Sequence, residues 1–256
     1  MNLRFDLTRA KGYKSSSQIS RVLTENWVAQ NSYCPSCGSN NLSQFGNNSP
    51  VADFLCGKCE AEYELKSKKD KLTLKVVDGA YDSMIRRINS RNNPHFFFLH
   101  YSQRDWEVLN FLVIPGHFFV SDMIERRKPL GLNARRAGWI GCNILLESIP
   151  SSGRIFLVKD RKPERKQKVR QIWDRTSFLQ AEESQNRGWT IEIMRIVDTF
   201  SNLSFTLQDI YAFEPILKTK FPMNNFIKDK IRQQLQVLRD KGLLEFKGKG
   251  SYVKVQ

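Results

Sequence analysis

Pro50-Val51-Ala52-Asp53-Phe54-Leu55-Cys56-Gly57-Lys58-Cys59-Glu60-Ala61-Glu62-Tyr63-Glu64-Leu65-Lys66 reads as two short strands joined by a turn at Gly57-Lys58. An antiparallel hairpin centred on that turn sets Asp53 opposite Glu64 and Phe54 opposite Tyr63. Side chains alternate between the faces of a strand, so Asp53, Glu64 and Lys66 project to one side and Ala52, Phe54, Tyr63 and Leu65 to the other. A single register thus supplies an apolar packing surface and a cluster of three charges. Two carboxylates placed opposite each other repel. A hard cation between them removes the repulsion, and Mg²⁺, which takes oxygen ligands and keeps several waters, suits the position.

Asp53, Glu64 and the backbone carbonyl of Leu65 are the expected Mg²⁺ ligands. Lys66, two residues on and on the same face, is placed to hold or help deprotonate a metal-bound water. That combination hydrolyses phosphodiesters, which makes Asp53, Glu64 and Lys66 the candidate catalytic residues. Pro50…Asp53 followed by Glu64-Leu65-Lys66 is the PD-(D/E)xK nuclease signature. The pattern is short and recurs by chance, so a solvated charged hairpin face competes with it. Basic composition, hairpin register and the neighbouring cysteines favour the nuclease.

Those cysteines are Cys34-Pro35-Ser36-Cys37 and Cys56-Gly57-Lys58-Cys59, two pairs separated by 18 residues. The spacing is that of a four-thiolate zinc site. Two intervening residues let a tight turn aim both sulfurs of a pair at one tetrahedral ion, and the chain between the pairs returns to complete it. Nothing around either pair resembles a thioredoxin-type βαβ unit. Cys142 is left over and reads as a small buried hydrophobe.

Across the 256 residues, 41 Lys+Arg against 26 Asp+Glu leave a net charge of +15. A balance this basic points to a polyanion, of which nucleic acid is the commonest. No apolar run is long enough to span a bilayer. Residues 1–6 lack the continuous apolar core of a secretory signal. A cytoplasmic protein with reduced thiols and no membrane partner is expected, monomeric in solution.

Elsewhere, residues 17–30 carry Ile19, Val22, Leu23 and Trp27 at helical spacing. Glu25 lies on this helix and reads as solvated, with approach to the metal as the alternative. Residues 80–89 read as a second helix, 95–101 and 108–114 as strands. The triplet Phe96-Phe97-Phe98 fits a strand buried on both faces better than a base-stacking platform. His95, His100 and His117 show no ligand spacing. In Arg135-Arg136-Ala137-Gly138-Trp139 the arginines suit phosphates and the tryptophan suits stacking on bases; a tryptophan packed over the edge of the core is the competing reading. Residues 159–175 are dense in charge and read as an exposed connector. Beyond them come a helix with Ile193, Ile196, Val197 and Phe200, a capped start at Thr206-Leu207-Gln208-Asp209, and a third helix from Asn225 with Ile227, Ile231, Leu235 and Leu238 inward. A hairpin with the basic tip Lys247-Gly248-Lys249-Gly250 ends the chain. Three helices and a basic hairpin make a winged helix, whose third helix enters a major groove. Residues 225–256 hold eight basic and three acidic residues. Lys228, Arg232, Lys247 and Lys249 join Arg135, Arg136 and Trp139 as candidate DNA contacts. The expected architecture is α/β, a mixed-sheet nuclease core with an inserted four-cysteine knuckle over residues 1–181 and a small winged-helix domain over 182–256.

The run from Cys34 to Cys59 with Glu64-Leu65-Lys66-Ser67-Lys68-Lys69 resembles the methyl-directed restriction endonucleases of the DpnI type. So do Asn92-Asn93-Pro94-His95-Phe96-Phe97-Phe98-Leu99, the stretch from Ala134 to Asn143, and Ile231-Arg232-Gln233-Gln234-Leu235-Gln236. The resemblance spans nearly the whole chain and is weakest in the first dozen residues and the charged linker. It implies Mg²⁺-dependent double-strand cleavage at GATC sites carrying methylated adenine, with zinc as a structural cofactor. Asp53, Glu64, Lys66 and the four cysteines match its catalytic and zinc positions. A zinc and winged-helix regulator without enzymatic activity, and a zinc-containing repair nuclease indifferent to methylation, are the alternatives.

Overall fold

The computed structural model describes residues 1–45, 52–69, 75–90 and 93–255. Pro50 and Val51 of the hairpin, and Asn92, lie outside the described residues. The chain divides into two units, Met1–Asp174 and Arg175–Gln256. The boundary expected after residue 181 falls in the turn before the helix that opens at Ser184.

In the first unit the elements follow the order α1 (Ser16–Asn31), β1 (Leu42–Gln44), β2 (Phe54–Cys56), β3 (Glu62–Lys69), β4 (Lys75–Ala80), α2 (Tyr81–Ile88), β5 (His95–Ser102), β6 (Glu107–Ile114), β7 (Ile124–Arg126), β8 (Gly141–Leu145), β9 (Ile155–Lys159), β10 (Lys162–Pro163) and α3 (Lys166–Thr176), the last crossing the boundary. Seven strands form a mixed sheet in the order β1-β2-β3-β5-β6-β9-β10. Only β3 and β5 run parallel; the other neighbours are antiparallel. A parallel pair needs a crossover rather than a hairpin, and here the crossover carries β4 and α2. β4 leaves the large sheet to form a second one in the order β4-β8-β7.

The hairpin has the expected register, Phe54 against Tyr63 and Leu55 against Glu62. Its apolar side meets α1. Phe54, Tyr63, Phe97, Phe111 and Val113 are buried against Leu23, Trp27 and Val28. Tyr63 stacks on Phe97 with centroids 4.5 Å apart, and Trp27 meets Phe111 edge-on at 5.3 Å. The indole N–H of Trp27 donates to the carbonyl of Asn2 at 2.8 Å, which meets the polar requirement of a buried tryptophan. β5 is covered on both faces. Phe97 joins the α1 side, whereas Phe96 packs against Phe119 at 4.7 Å on the other. The triplet is a buried strand.

One expectation fails outright. Residues 159–175 are no exposed connector: they end β9, form β10 and begin α3, and α3 sends Val169 and Trp173 into the same core. Val169, Ile172 and Trp173 sit three and four residues apart, a buried helical stripe, but four lysines and arginines on the remaining faces obscure it in the sequence. Trp173 lies edge-on to His95 at 4.8 Å. His95 accepts the Gly116 N–H through Nδ1 at 2.9 Å, and burial depresses its pKa to about 4, so it serves as a neutral acceptor. Because Trp173 is 4% exposed, Trp173→Ala is expected to cost about 3–5 kcal/mol, read from the denaturant midpoint of the full chain. A shift below about 1 kcal/mol would return α3 to the status of a connector.

The second unit contains α4 (Ser184–Thr199), β11 (Ser204–Thr206), α5 (Leu207–Tyr211), α6 (Glu214–Lys220), α7 (Ile227–Asp240), β12 (Leu244–Gly248) and β13 (Ser251–Lys254). Its sheet runs β11-β13-β12. The helix start at Thr206 is a reciprocal cap: the Asp209 amide donates to the Thr206 hydroxyl, and the Thr206 amide donates to the Asp209 carboxylate. Ile227, Ile231, Leu235 and Leu238 are buried on α7 as expected. Four helices rather than three occur among the described residues, because Pro215 sits in the first turn of α6, where its missing N–H costs nothing, instead of breaking a longer element.

Candidate active site and metal centre

The charged side of the hairpin lies on the sheet face away from α1. The Asp53 amide donates to the Tyr63 carbonyl at 2.9 Å, and the Asp53 carboxylate accepts the Leu65 amide through Oδ2 at 2.6 Å. This crossed pair of bonds fixes Asp53 beside Glu64 on the neighbouring strand. Lys66 Nζ donates to Glu64 Oε1 at 2.6 Å and to Asp78 Oδ1 at 2.5 Å. Arg87, on α2, approaches Glu64 Oε2 at 3.4 Å. Asp53, Glu64 and Lys66 therefore share one face, joined by two residues that sequence reasoning missed, Asp78 and Arg87.

The electrostatics follow from burial. The side chains of Glu64 and Lys66 are 21% and 19% exposed. Burial pushes the Glu64 carboxyl above the ordinary carboxylate range; Asp78 adds to the rise, and Lys66 and Arg87 oppose it. Burial alone would lower Lys66, yet Glu64 and Asp78 together hold its ammonium above the usual lysine value. Such a pocket of low dielectric and net negative charge has a standing demand for a cation. Glu25 is not solvated as expected. Its side chain is 13% exposed, accepts from Gln44 Nε2 at 2.8 Å and lies 3.9 Å from Arg21. Burial raises its pKa, Arg21 opposes, and the charge on Asp53 adds to the rise.

The four cysteines converge, with all four sulfurs within 4.8 Å of one another. Cys34 and Cys59 Sγ are 3.6 Å apart, as are Cys37 and Cys56. A tetrahedral ion with Zn–S bonds of about 2.3 Å sets its sulfurs about 3.8 Å apart, so the cage fits zinc. Tyr63 Oη lies 3.0 Å from Cys34 Sγ and can donate to its thiolate. Burial drives the Cys34 thiol upward, whereas at Cys56 the amides of Cys59 and Lys58 outweigh burial and hold the thiol near 7. The cage closes at the turn between β2 and β3.

Among the other candidates, Arg135 and Arg136 are exposed on the loop between β7 and β8. Trp139 is half-buried on that loop. Its carbonyl accepts from Leu130 at 2.9 Å and its ring lies over Gly141, where an added Cβ would meet it at 2.7 Å. In the second unit Lys228 sits over the Tyr211 ring at 5.4 Å and 3.4 Å from Glu214. Arg232 donates to the Tyr211 hydroxyl at 3.0 Å and pairs with Asp229. Lys247 pairs with Glu245, and Lys249 is exposed at the hairpin tip in the left-handed backbone region at φ +48°.

A mixed-sheet core with carboxylates and a lysine on one face, a four-cysteine cage and a C-terminal winged helix define a protein of the restriction-nuclease class. Residues 1–182 match the DpnI model, described as the Dam-replacing family, and residues 185–254 match the Dam-replacing HTH domain. The chain belongs to the Dam-replacing, DpnI-type family of methyl-dependent restriction endonucleases. The family implies a divalent metal for catalysis, and the donor set fits one. Asp53 and Glu64 offer hard oxygen ligands, and the Lys66 ammonium already rests against Glu64 as a positive stand-in.

Proposed function

We propose that this protein is a Mg²⁺-dependent type II endonuclease that makes double-strand breaks at GATC carrying N6-methyladenine. The observation that carries the reading is the assembly of Asp53, Glu64 and Lys66 on one face of the β2–β3 hairpin in a chain of this family. Asp53, Glu64 and the Leu65 carbonyl would hold Mg²⁺, which when bound stabilises phosphoryl charge and supplies a hydroxide-like nucleophile. Asp53 keeps the Leu65 backbone in place through its Oδ2 contact. Lys66 presents a positive charge at the site edge, where it can steady the scissile phosphate. Zinc held by Cys34, Cys37, Cys56 and Cys59 is structural.

Duplex DNA is the partner of a monomer in the cytoplasm. Arg135, Arg136, Lys228, Arg232, Lys247 and Lys249 grip phosphates, and Trp139 offers an apolar surface to the methyl group. One methyl is worth only about 1–3 kcal/mol in a fitted pocket. Two DNA-reading modules, residues 1–181 and 182–256, would multiply that modest preference. No helix among the described residues is long and apolar enough to cross a membrane.

The test is digestion of plasmid from an adenine-methylating host and from a non-methylating host, with and without Mg²⁺. Discrete fragments from methylated plasmid alone, and only with the metal, are expected. Equal cutting of both plasmids would make it a methyl-indifferent nuclease. A gel shift without cutting would make it a regulator.

A further inference from the structure

We propose that Asp78 is a positioning residue for Lys66: from the second sheet it anchors the ammonium at the site, so that Glu64 can turn to a divalent cation without Lys66 leaving. This rests on the nuclease reading above and names a residue that neither the signature nor its spacing includes.

The argument begins with the backbone. β4 pairs with β8 as Asp78 against Cys142 and then Ala80 against Gly141, so Gly79 is an extra residue in the ladder. Such a bulge bends a strand and re-aims the side chain beside it. Two bonds hold the bulge: the Gly79 amide donates to Asp78 Oδ1 at 2.7 Å, and the Cys142 thiol lies 3.5 Å from the Gly79 carbonyl. The Asp78 side chain, 8% exposed, is turned to Lys66 at 2.5 Å.

A buried ion pair is poor evidence of a stabilising role, because desolvation offsets most of its attraction. What the pair does is settled by where Lys66 Nζ sits. It lies 2.6 Å from Glu64 and 2.5 Å from Asp78, shared between a carboxylate from its own strand and one from another sheet. With Glu64 as sole partner, the ammonium would occupy the carboxylate oxygen that a metal ion requires, and the two cations would compete directly. A second acceptor at the same distance lets Lys66 yield that oxygen with little movement and remain beside the reacting phosphate. The shared ammonium separates Asp78 from Glu64, which gives Asp78 the part of a holder rather than a ligand.

The experiment uses the full chain carrying Asp78→Asn, which keeps shape and an acceptor oxygen but removes the charge, beside Asp78→Glu. Calorimetric titration with Mg²⁺ or Mn²⁺ in the absence of DNA gives the cation affinity, and steady-state cleavage of methylated plasmid gives kcat and KM. Groups in the shell just outside a metal's ligands typically matter by about 10–100-fold, and Asp78 would act in that shell by drawing Lys66 away from Glu64. Asp78→Asn is expected to weaken cation binding and lower kcat on that scale, with KM and melting temperature nearly unchanged and partial recovery in Asp78→Glu. Wild-type cation affinity and kcat in Asp78→Asn would overturn the proposal. So would a loss that follows a fall in melting temperature and is not recovered by Asp78→Glu. A wild-type protein that cuts no DNA, yet whose cation affinity drops with Asp78→Asn, would overturn the nuclease reading and leave the link between Asp78 and the cation site standing.

Discussion

Cleavage of methylated plasmid is expected to fall by on the order of 10³-fold or more in each of Asp53→Asn, Glu64→Gln and Lys66→Met, the scale on which a member of a catalytic unit registers. The substitutions are chosen for what they preserve. Asp53→Asn retains an oxygen for the Leu65 amide, so the hairpin keeps its crossed contact while the charge that attracts the metal is gone. Glu64→Gln leaves a neutral acceptor for Lys66 and Arg87. Lys66→Met keeps the length of the stem and removes the ammonium, at the cost of leaving Glu64 and Asp78 without their shared cation. That variant should therefore lose some stability and bind divalent metal no worse than wild type, whereas Asp53→Asn and Glu64→Gln should bind it more weakly. Binding to methylated duplex, measured without Mg²⁺, should stay within about threefold of wild type in all three, since only Lys66 among them meets a phosphate and most phosphate and groove contacts lie elsewhere. Cutting at the wild-type rate by any one of them would remove that residue from the active site.

Loss of zinc is expected to unfold much of the first unit. Elemental analysis should find one zinc per chain, and both a strong chelator and Cys56→Ser should lower the melting temperature sharply. Structural zinc is worth about 10–16 kcal/mol in small finger peptides, and a domain of ordinary stability has only about 5–15 kcal/mol to lose. The first unit has a large core of its own, so only part of the zinc term falls on its folding, but part is enough. Cys142→Ser is the control, because Cys142 is buried within β8 of the second sheet and is not one of the four clustered sulfurs. A zinc-free preparation that melts with the wild type would refute a structural metal here.

The features legible in the sequence were those written over short distances. The β2–β3 register follows from alternation around a turn, so Phe54 against Tyr63 is written in the sequence alone, and with it the shared face of Asp53, Glu64 and Lys66. Cysteine spacing announced the cage, and the 3.6-residue period of α7 announced its buried side. Asp78 was hidden because nothing local marks it. It stands in a strand of six residues, and only a crossover and a bulge deliver it to Lys66. Arg87 arrives from α2 across the same crossover. Glu25 looked like a surface residue because its burial comes from the β1 edge, through Gln44, rather than from its own helix. α3 was obscured by the opposite problem, a clear apolar stripe diluted by lysine and arginine, and α6 was absorbed into the helix expected from Thr206, although Pro215 in its first turn marks a separate start.

The cage at the hairpin's turn bears on an error that strands are prone to. A slip of one residue between β2 and β3 would exchange their two sides, pressing Glu64 and Lys66 against Trp27 and lifting Tyr63 into water. β2, three residues long, is short enough for such a slip to be sampled while the chain is still searching. Cys56 ends one strand, and Cys59 is held only a few residues before the other. Once their sulfurs share an ion with Cys34 and Cys37, the loop length between the strands is no longer adjustable and only one alignment survives. A metal held there, outside the proposed chemistry, would thereby act as a proofreader for the pairing on which that chemistry depends.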